Sequence, residues 1–349
     1  QHMRKFLKLV VLLILLLVFG LTAPVAYIEL ACRPTETAST YEPILLPEHH
    51  RAEGKTLLTY PEWHIVHAYD DYAKVISTSD PHDYRYLSSI GGFWTSLCSL
   101  SQASGPHGGF PSSFKQTIYT IGVSFSAELL AKALYEETIG RAATWMRGDT
   151  RAPLDDLSAD QAEQYSAFLQ QVPWYRWDFA RDAQALTVNA GDALRDRERW
   201  FALGIEYRTK ARYAKVIAAA VANMEPDALR LRLIVTGLSK EELTAFDGLN
   251  IIAEHDQGIE IDTPRYRELT VLLSKMAQAN GDFVEIAGND DILLTATSDS
   301  ANLDEALYSF MRQGYGDFRH LILLPVTDLA DTLRSLDGQS LHLEHIHDF

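Results

Sequence analysis

LRLRLIVTG, residues 229–237, separates two textures of sequence. Leu229, Leu231 and Leu233 alternate with Arg230 and Arg232 before Ile234 and Val235 complete the run, a period of two that predicts a strand. From Pro226 onward such runs alternate with short helical ones. SKEELTAF reads as a helix, NIIAEHD and GIEIDT as a hairpin turning at Gln257-Gly258, and PRYRELTVLLSKMAQ as a helix with Pro264 in its first turn. DFVEIAG and DILLTAT read as a strand pair, LDEALYSFM as a helix, FRHLILLPV as a buried strand, TDLADTLRSL as a helix and SLHLEHI as a closing strand. This order predicts an α+β sandwich of ferredoxin-like type over residues 226–349, helices on one face of an antiparallel sheet.

Upstream, residues 61–225 read as all-α. Pro61 suits a helix start, and Ile65, Tyr69, Tyr72 and Ile76 recur at three and four residues as its buried stripe. Residues 114–147 read as one long helix bent at Gly122 or Gly140, with Ile90–Leu100 an apolar patch before it. Lys115, Glu128 and Lys132 interrupt that helix too often for it to span a bilayer. Ser158 and Gln161 form a capping-box pattern, and residues 192–224 give a further helix with Trp200, Leu203, Tyr207, Ala211, Ala214 and Ala218 on one stripe. Between them, Trp174, Tyr175 and Trp177 fall within WYRWDF. Aromatic residues of this kind favour a membrane–water boundary, whereas Arg176, Asp178 and Asp182 provide no basic face, so the competing expectation is gap-filling between helices.

At the N-terminus, Leu9–Ile28 (LVVLLILLLVFGLTAPVAYI) is a run of twenty uncharged residues, long enough as a helix to cross roughly 30 Å of hydrocarbon. Arg4, Lys5 and Lys8 precede it, whereas Glu29, Arg33 and Glu36 follow. The basic flank places the N-terminus in the cytoplasm and the body outside, as in a single-pass bacterial inner-membrane protein with a periplasmic body. Residues 1–30 are then the anchor and 31–60 a stalk or a segment draped over the body, with Pro34, Pro43 and Pro47 breaking any period. Cys32 and Cys98 are the two cysteines, and an even pair in an oxidising compartment reads as one disulfide. Leu30-Ala31-Cys32 also resembles the end of a lipoprotein cleavage site, although Glu29 stands where such sites carry an aliphatic residue.

A net charge of -16 repels a phosphate backbone and sets nucleic acid aside as a partner. Catalytic motifs are weak: Cys98 has no activating neighbours, and GPHGGF lacks both the Lys-Ser/Thr ending of a phosphate loop and its flanking strand and helix. The best candidate for chemistry is Glu62-Trp-His64-Ile-Val-His67 with Asp71 one turn further. At this spacing Glu62, His64, His67 and Asp71 offer imidazole and carboxylate donors to zinc, copper or iron, with His82, Asp83 or His107 to complete a shell. A solvated polar helix face explains the same residues without a metal. His342, His345 and His347 near the C-terminus read as a frayed polar end.

Three functional expectations compete. The first is a non-catalytic accessory or scaffold that binds an envelope partner or self-associates as a homo-oligomer at the inner membrane. The second is a membrane-bound metalloprotein centred on His64 and His67. The third is a lipid-handling protein enclosing an acyl chain beside residues 90–100.

Overall fold

The computed structural model describes residues 2–35, 37, 41–52, 54–110, 112–221 and 229–349; the side chains at 2, 3, 6, 9, 13, 14, 17, 55, 220, 221 and 337 are outside the description. The change of texture expected at Pro226 therefore lies outside the described residues. Helices α1 (His2–Ala31), α2 (Lys55–Thr78), α3 (Tyr86–Ala103), α4 (Ser112–Tyr135), α5 (Arg141–Arg147), α6 (Pro153–Leu169), α7 (Phe179–Asn189) and α8 (Leu194–Val221) come first. They are followed by β1 (Arg230–Thr236), α9 (Lys240–Leu243), β2 (Asn250–His255), β3 (Gly258–Pro264), α10 (Arg267–Gln278) and β4 (Asp282–Ile286). The chain continues through β5 (Asp291–Ser298), β6 (Tyr308–Met311), β7 (Phe318–Pro325), α11 (Val326–Ser335) and β8 (His342–His347).

The mixed α+β class is as expected, but the single ferredoxin-like sheet is two. Each sheet is antiparallel and four-stranded, in the orders β2-β3-β1-β4 and β6-β7-β5-β8. Numbered within its own unit, each runs 2-3-1-4, so one split strand–helix topology occurs twice in tandem. DFVEIAG and DILLTAT, expected to pair, instead fall in different sheets, because β4 pairs with β1 and β5 with β7 and β8. The helix expected at LDEALYSFM is replaced by β6, whose Tyr308 and Phe310 pair with Leu321 and Arg319 of β7; cross-strand pairing overrides local helix propensity there. The two sheets share one core, built from Leu231, Leu233, Ile261 and Phe283 of the first, Ile292, Leu294 and Ile346 of the second, and the amphipathic helices α10 and α11.

The other face of the second sheet carries the helical region. Leu293 and Leu321 join a core with Leu57, Tyr60, Phe93, Leu97, Leu100, Phe125 and Leu129, so α2, α3 and α4 are stacked on it. This burial also explains where α2 starts. The helix begins at Lys55 and takes Pro61 into its interior, because Leu57, Leu58 and Tyr60 are buried against the sheet ahead of the proline. α6 likewise begins at Pro153, with Asp155 accepting from the Ala152 amide at 3.1 Å, and Ser158 sits inside the helix. The long helix expected over 114–147 is bent near Gly140 by a π-helical turn, Glu136–Gly140; Gly122 instead receives Phe93, whose Cε1 would lie 2.3 Å from an added Cβ.

α1 is joined rigidly to this body. The expected Cys32–Cys98 disulfide links its exit to α3, Ile28 and Cys32 are buried, and Tyr119 of α4 donates to Glu29 at 2.6 Å. Downstream, residues 41–50 drape over the first sheet. The buried Glu285 carboxylate accepts from the Tyr41 hydroxyl at 2.6 Å and from the amides of Ile44 and Leu45 at 2.5 and 3.0 Å. Among the described residues no helix is long and apolar enough to cross a membrane, and four side chains of the 9–28 run lie outside the description.

Candidate functional site

The second sheet presents to α2 a layer of polar side chains that is buried but for the partly exposed Glu344. From α2 come Thr56, Tyr60, Trp63, His64, His67 and Asp71; from β7 comes Arg319, and from β8 come Glu344, His345 and His347. His64, His67 and Asp71 are 4, 6 and 5% exposed, and His345 and His347 are 1 and 0% exposed. Both expectations about exposure are therefore corrected. The polar face of α2 is its packed face rather than a solvated one, and His345 and His347 are core rather than frayed, whereas His342 is exposed as expected.

Burial of the C-terminal segment has a specific cause. Asp348 accepts from Arg265 at 3.0 Å and from the Tyr266 amide at 3.0 Å, which holds Tyr266 at a φ of 63°. Arg265 and Arg51 both donate to the carbonyl of Phe349, at 2.8 and 2.9 Å. β8 is thereby fixed at the sheet edge, where Thr56 donates to the His347 carbonyl at 2.6 Å and Thr270 of α10 accepts from the Ile346 amide at 3.0 Å.

Within the layer, Trp63 stacks on His345 with ring centroids 3.5 Å apart, and His345 meets His347 edge-on at 4.9 Å. Desolvation lowers every imidazole: His64 to about 4, His347 to about 3, and His67 and His345 well below the ordinary range, with Arg319 adding repulsion at His67. These rings are neutral at pH 7. The 3.5 Å approach of His67 Nε2 to Glu344 is accordingly not an ion pair at that pH. Glu344 is instead paired with Arg319, which grips its carboxylate through Nε and Nη2. Burial raises Asp71 to about 7 against the opposing pull of Arg319, and its Oδ2 accepts from the Gln313 amide at 3.0 Å. His67 Nε2, His345 Nε2, both ring nitrogens of His347 and Asp71 Oδ1 have no hydrogen-bond partner.

The structure does not gather the expected metal donors. His64 turns to the Ser89 carbonyl at 2.9 Å, His67 to Glu344 and Asp71 to Gln313, while Glu62 is exposed. His82 lies beside Asp83, and His107 beside Asp291 at 3.5 Å. Among the described residues, no group of three His, Cys, Asp or Glu side chains converges as a metal site. The chemistry available to this layer is therefore that of neutral imidazoles packed against indole and sheet, sealed from exchange with solvent.

No known relative emerges. Neither a family model, nor a characterised protein, nor a solved structure matches this chain.

A second polar cluster, half-buried, lies inside the helical region and carries no sequence motif. Lys210 of α8 is 2.8 Å from Glu128 of α4 and 2.9 Å from Glu206, and Lys132 is 2.9 Å from Glu206. Tyr69 donates to Glu128 at 2.7 Å, and the Lys210 ammonium lies 5.1 Å from the Tyr69 ring centre and 5.8 Å from that of Phe179. Burial opposes the charged form of Glu206, yet Lys132 and Lys210 outweigh it and hold the carboxyl at about 2. The signal is present as two matched four-residue steps, Glu128–Lys132 and Glu206–Lys210. The adjoining cavity, of about 40 Å³, has room for water but not for a substrate. Trp174, Tyr175 and Trp177 pack in the same region with Tyr165 and Phe179, and Trp177 Nε1 donates to Asp182 at 2.7 Å. The apolar 90–100 patch is similarly taken up by packing, with Phe93, Trp94, Leu97 and Leu100 buried.

Proposed function

We propose that this chain is a membrane-anchored accessory protein of the bacterial inner membrane, with its N-terminus in the cytoplasm and a rigid extracytoplasmic body that holds a protein partner close to the bilayer. The observation that carries the reading is the joint between α1 and the body. A disulfide, the buried Ile28, the Tyr119–Glu29 hydrogen bond and the draped 41–50 segment together leave the helix little freedom to swivel. Such a joint fixes the height and orientation of whatever the body presents, which a flexible tether would not do.

The outer surface of α4 and α5 is where a partner would bind. Leu134, Ile139, Trp145 and Met146 are exposed there, Trp145 at 82%, and an exposed indole flanked by apolar side chains has the composition of a protein-interface hot spot.

Compartment and role are tested in cells. Maleimide trapping of Cys32 and Cys98 from growing cells is expected to find both oxidised, and reduced cysteines would place the body in the cytoplasm. A photoreactive phenylalanine analogue at Trp145 is expected to give a discrete adduct with one envelope protein in native membranes. A turnover activity of the purified chain abolished by a single substitution would replace the accessory reading with an enzymatic one.

A further inference from the structure

We propose that the outward face of α8 rests on the anionic phospholipid headgroups beside the anchor. This rests on the reading of α1 as a membrane span. The first observation is a segregation of charge along α8. Its three acidic side chains turn inward: Asp196 to the amides of Leu154 and Gly191, Glu198 to Arg195 and Arg199, and Glu206 to the two lysines. Arg195, Arg199 and Lys210 turn inward with them. The remaining basic residues, Arg197, Arg208, Arg212 and Lys215, are exposed, and so are Phe201, Ile205, Tyr213 and Val216. In a chain of net charge -16, one helix thus shows the solvent four cations, no anion and several large apolar side chains. That is the composition of a helix lying in a lipid interface, where basic residues near the surface are attracted to acidic headgroups.

The second observation is position. α8 runs antiparallel to α4 through Tyr135–Glu198, Lys132–Glu206 and Glu128–Lys210, at 2.6, 2.9 and 2.8 Å. α4 continues from Glu128 toward Tyr119, whose hydroxyl holds Glu29 at the end of the uncharged stretch of α1, in the same direction in which α8 continues from Lys210 toward Arg212 and Lys215. The C-terminal half of α8, with Arg208, Arg212 and Lys215, therefore points toward the end of α4 that holds α1. Trp174 stacks on Tyr213 at 5.4 Å, which braces this half of the helix from the protein side and leaves the cations facing out. The body meets lipid through α8, and the Trp174–Trp177 segment supports it from behind.

The test uses the full chain reconstituted in vesicles of phosphatidylcholine alone or with phosphatidylglycerol added. Both native cysteines are in the disulfide, so a nitroxide label is directed to Ile205→Cys or Val216→Cys. The expected result is a higher ratio of oxygen to nickel-chelate collisions at both labels in the anionic vesicles. That rise is lost in high salt and in the Arg208→Glu, Arg212→Glu, Lys215→Glu triple variant, which still floats with vesicles because α1 is intact. Labels that stay equally aqueous in both lipid mixtures, while the chain floats with them, overturn the proposal and leave the anchor standing. Labels shielded from oxygen and chelate alike in both mixtures also overturn it, because protein then covers the face. Failure of the chain to float with neutral vesicles overturns the anchor reading, and this inference with it.

Discussion

The two polar layers of this protein, one sealed beneath α2 and one half-buried between α4 and α8, solve one problem in opposite ways. Between α2 and the second sheet, the imidazoles of His64, His67, His345 and His347 are kept neutral by desolvation, and several of their nitrogens have no hydrogen-bond partner. Between α4 and α8, Glu128, Lys132, Glu206 and Lys210 keep their charges and compensate one another. Groups whose ordinary pKa lies near neutrality can shed charge cheaply when buried. Lysine and glutamate cannot, and require partners. The first layer is consequently sensitive to protons and the second to the loss of any one member.

The largest expected effect breaks the first layer with acid. A histidine whose folded pKa is depressed stabilises the fold fully above its unfolded value of 6.5, and that stability is lost as pH falls toward the folded value, because only the unfolded chain takes up the proton. At pH 5 this amounts to about 2 kcal/mol for each imidazole held neutral. Asp71 acts in the opposite sense. Its folded pKa of about 7 means that the folded chain binds a proton the unfolded chain releases, so it regains stability between pH 7 and 3.8. Four histidines against one carboxyl leave a net loss of roughly 6 kcal/mol by pH 5. Thermal unfolding of the detergent-solubilised chain from pH 7.5 to 5 checks this, and His347→Leu should flatten the slope by about one proton.

The second layer is expected to respond to truncation of one partner. Lys210→Met leaves Glu128 and Glu206 undercompensated and should cost about 3–5 kcal/mol, whereas the Lys210→Met, Glu206→Leu double variant should lose much less than the sum of the single changes. Urea unfolding of the four members of that cycle measures the coupling, and additive losses would show that the cluster does not act as a unit. A smaller effect separates both layers from the joint at α1. Replacing Cys32 and Cys98 by Ser opens a loop of sequence separation 66 and should cost about 2–4 kcal/mol at every pH between 5 and 7.5. The smallest expected effect is at Gly122→Ala, where the added methyl meets Phe93 and should cost about 1–3 kcal/mol by overpacking, seen as a lowered Tm without change in either charge response.

Legibility of these features in the sequence followed the range over which each is determined. Period-two runs identified β1, the β2–β3 hairpin, β7 and β8, and the cysteine pair identified its own bond, because each rests on local pattern or on counting. The pairing of strands was less legible: β4 and β5 are neighbours in sequence, yet they part into two sheets because each has a better partner further away. The polar face of α2 was the least legible. His64 and His67 look like a solvated stripe until Ser89 and Phe93 of α3 and Phe310 of β6 cover the first, and Glu344 of β8, nearly 280 residues later, covers the second. His345 and His347 were misread for the reciprocal reason, since nothing near them in sequence announces Arg265, Arg51 or α2 as cover.

The tether that Arg51 and Arg265 place on Phe349 also bears on the order in which the chain matures. α2 is synthesised early, but His67 lacks Glu344 and Trp63 lacks its stacked His345 until residues 342–349 have emerged. Until then the helical half holds a half-polar face without the strand that completes it. A chain that stops short of β8 therefore keeps the ring of Trp63 and the imidazole of His67 uncovered on that side.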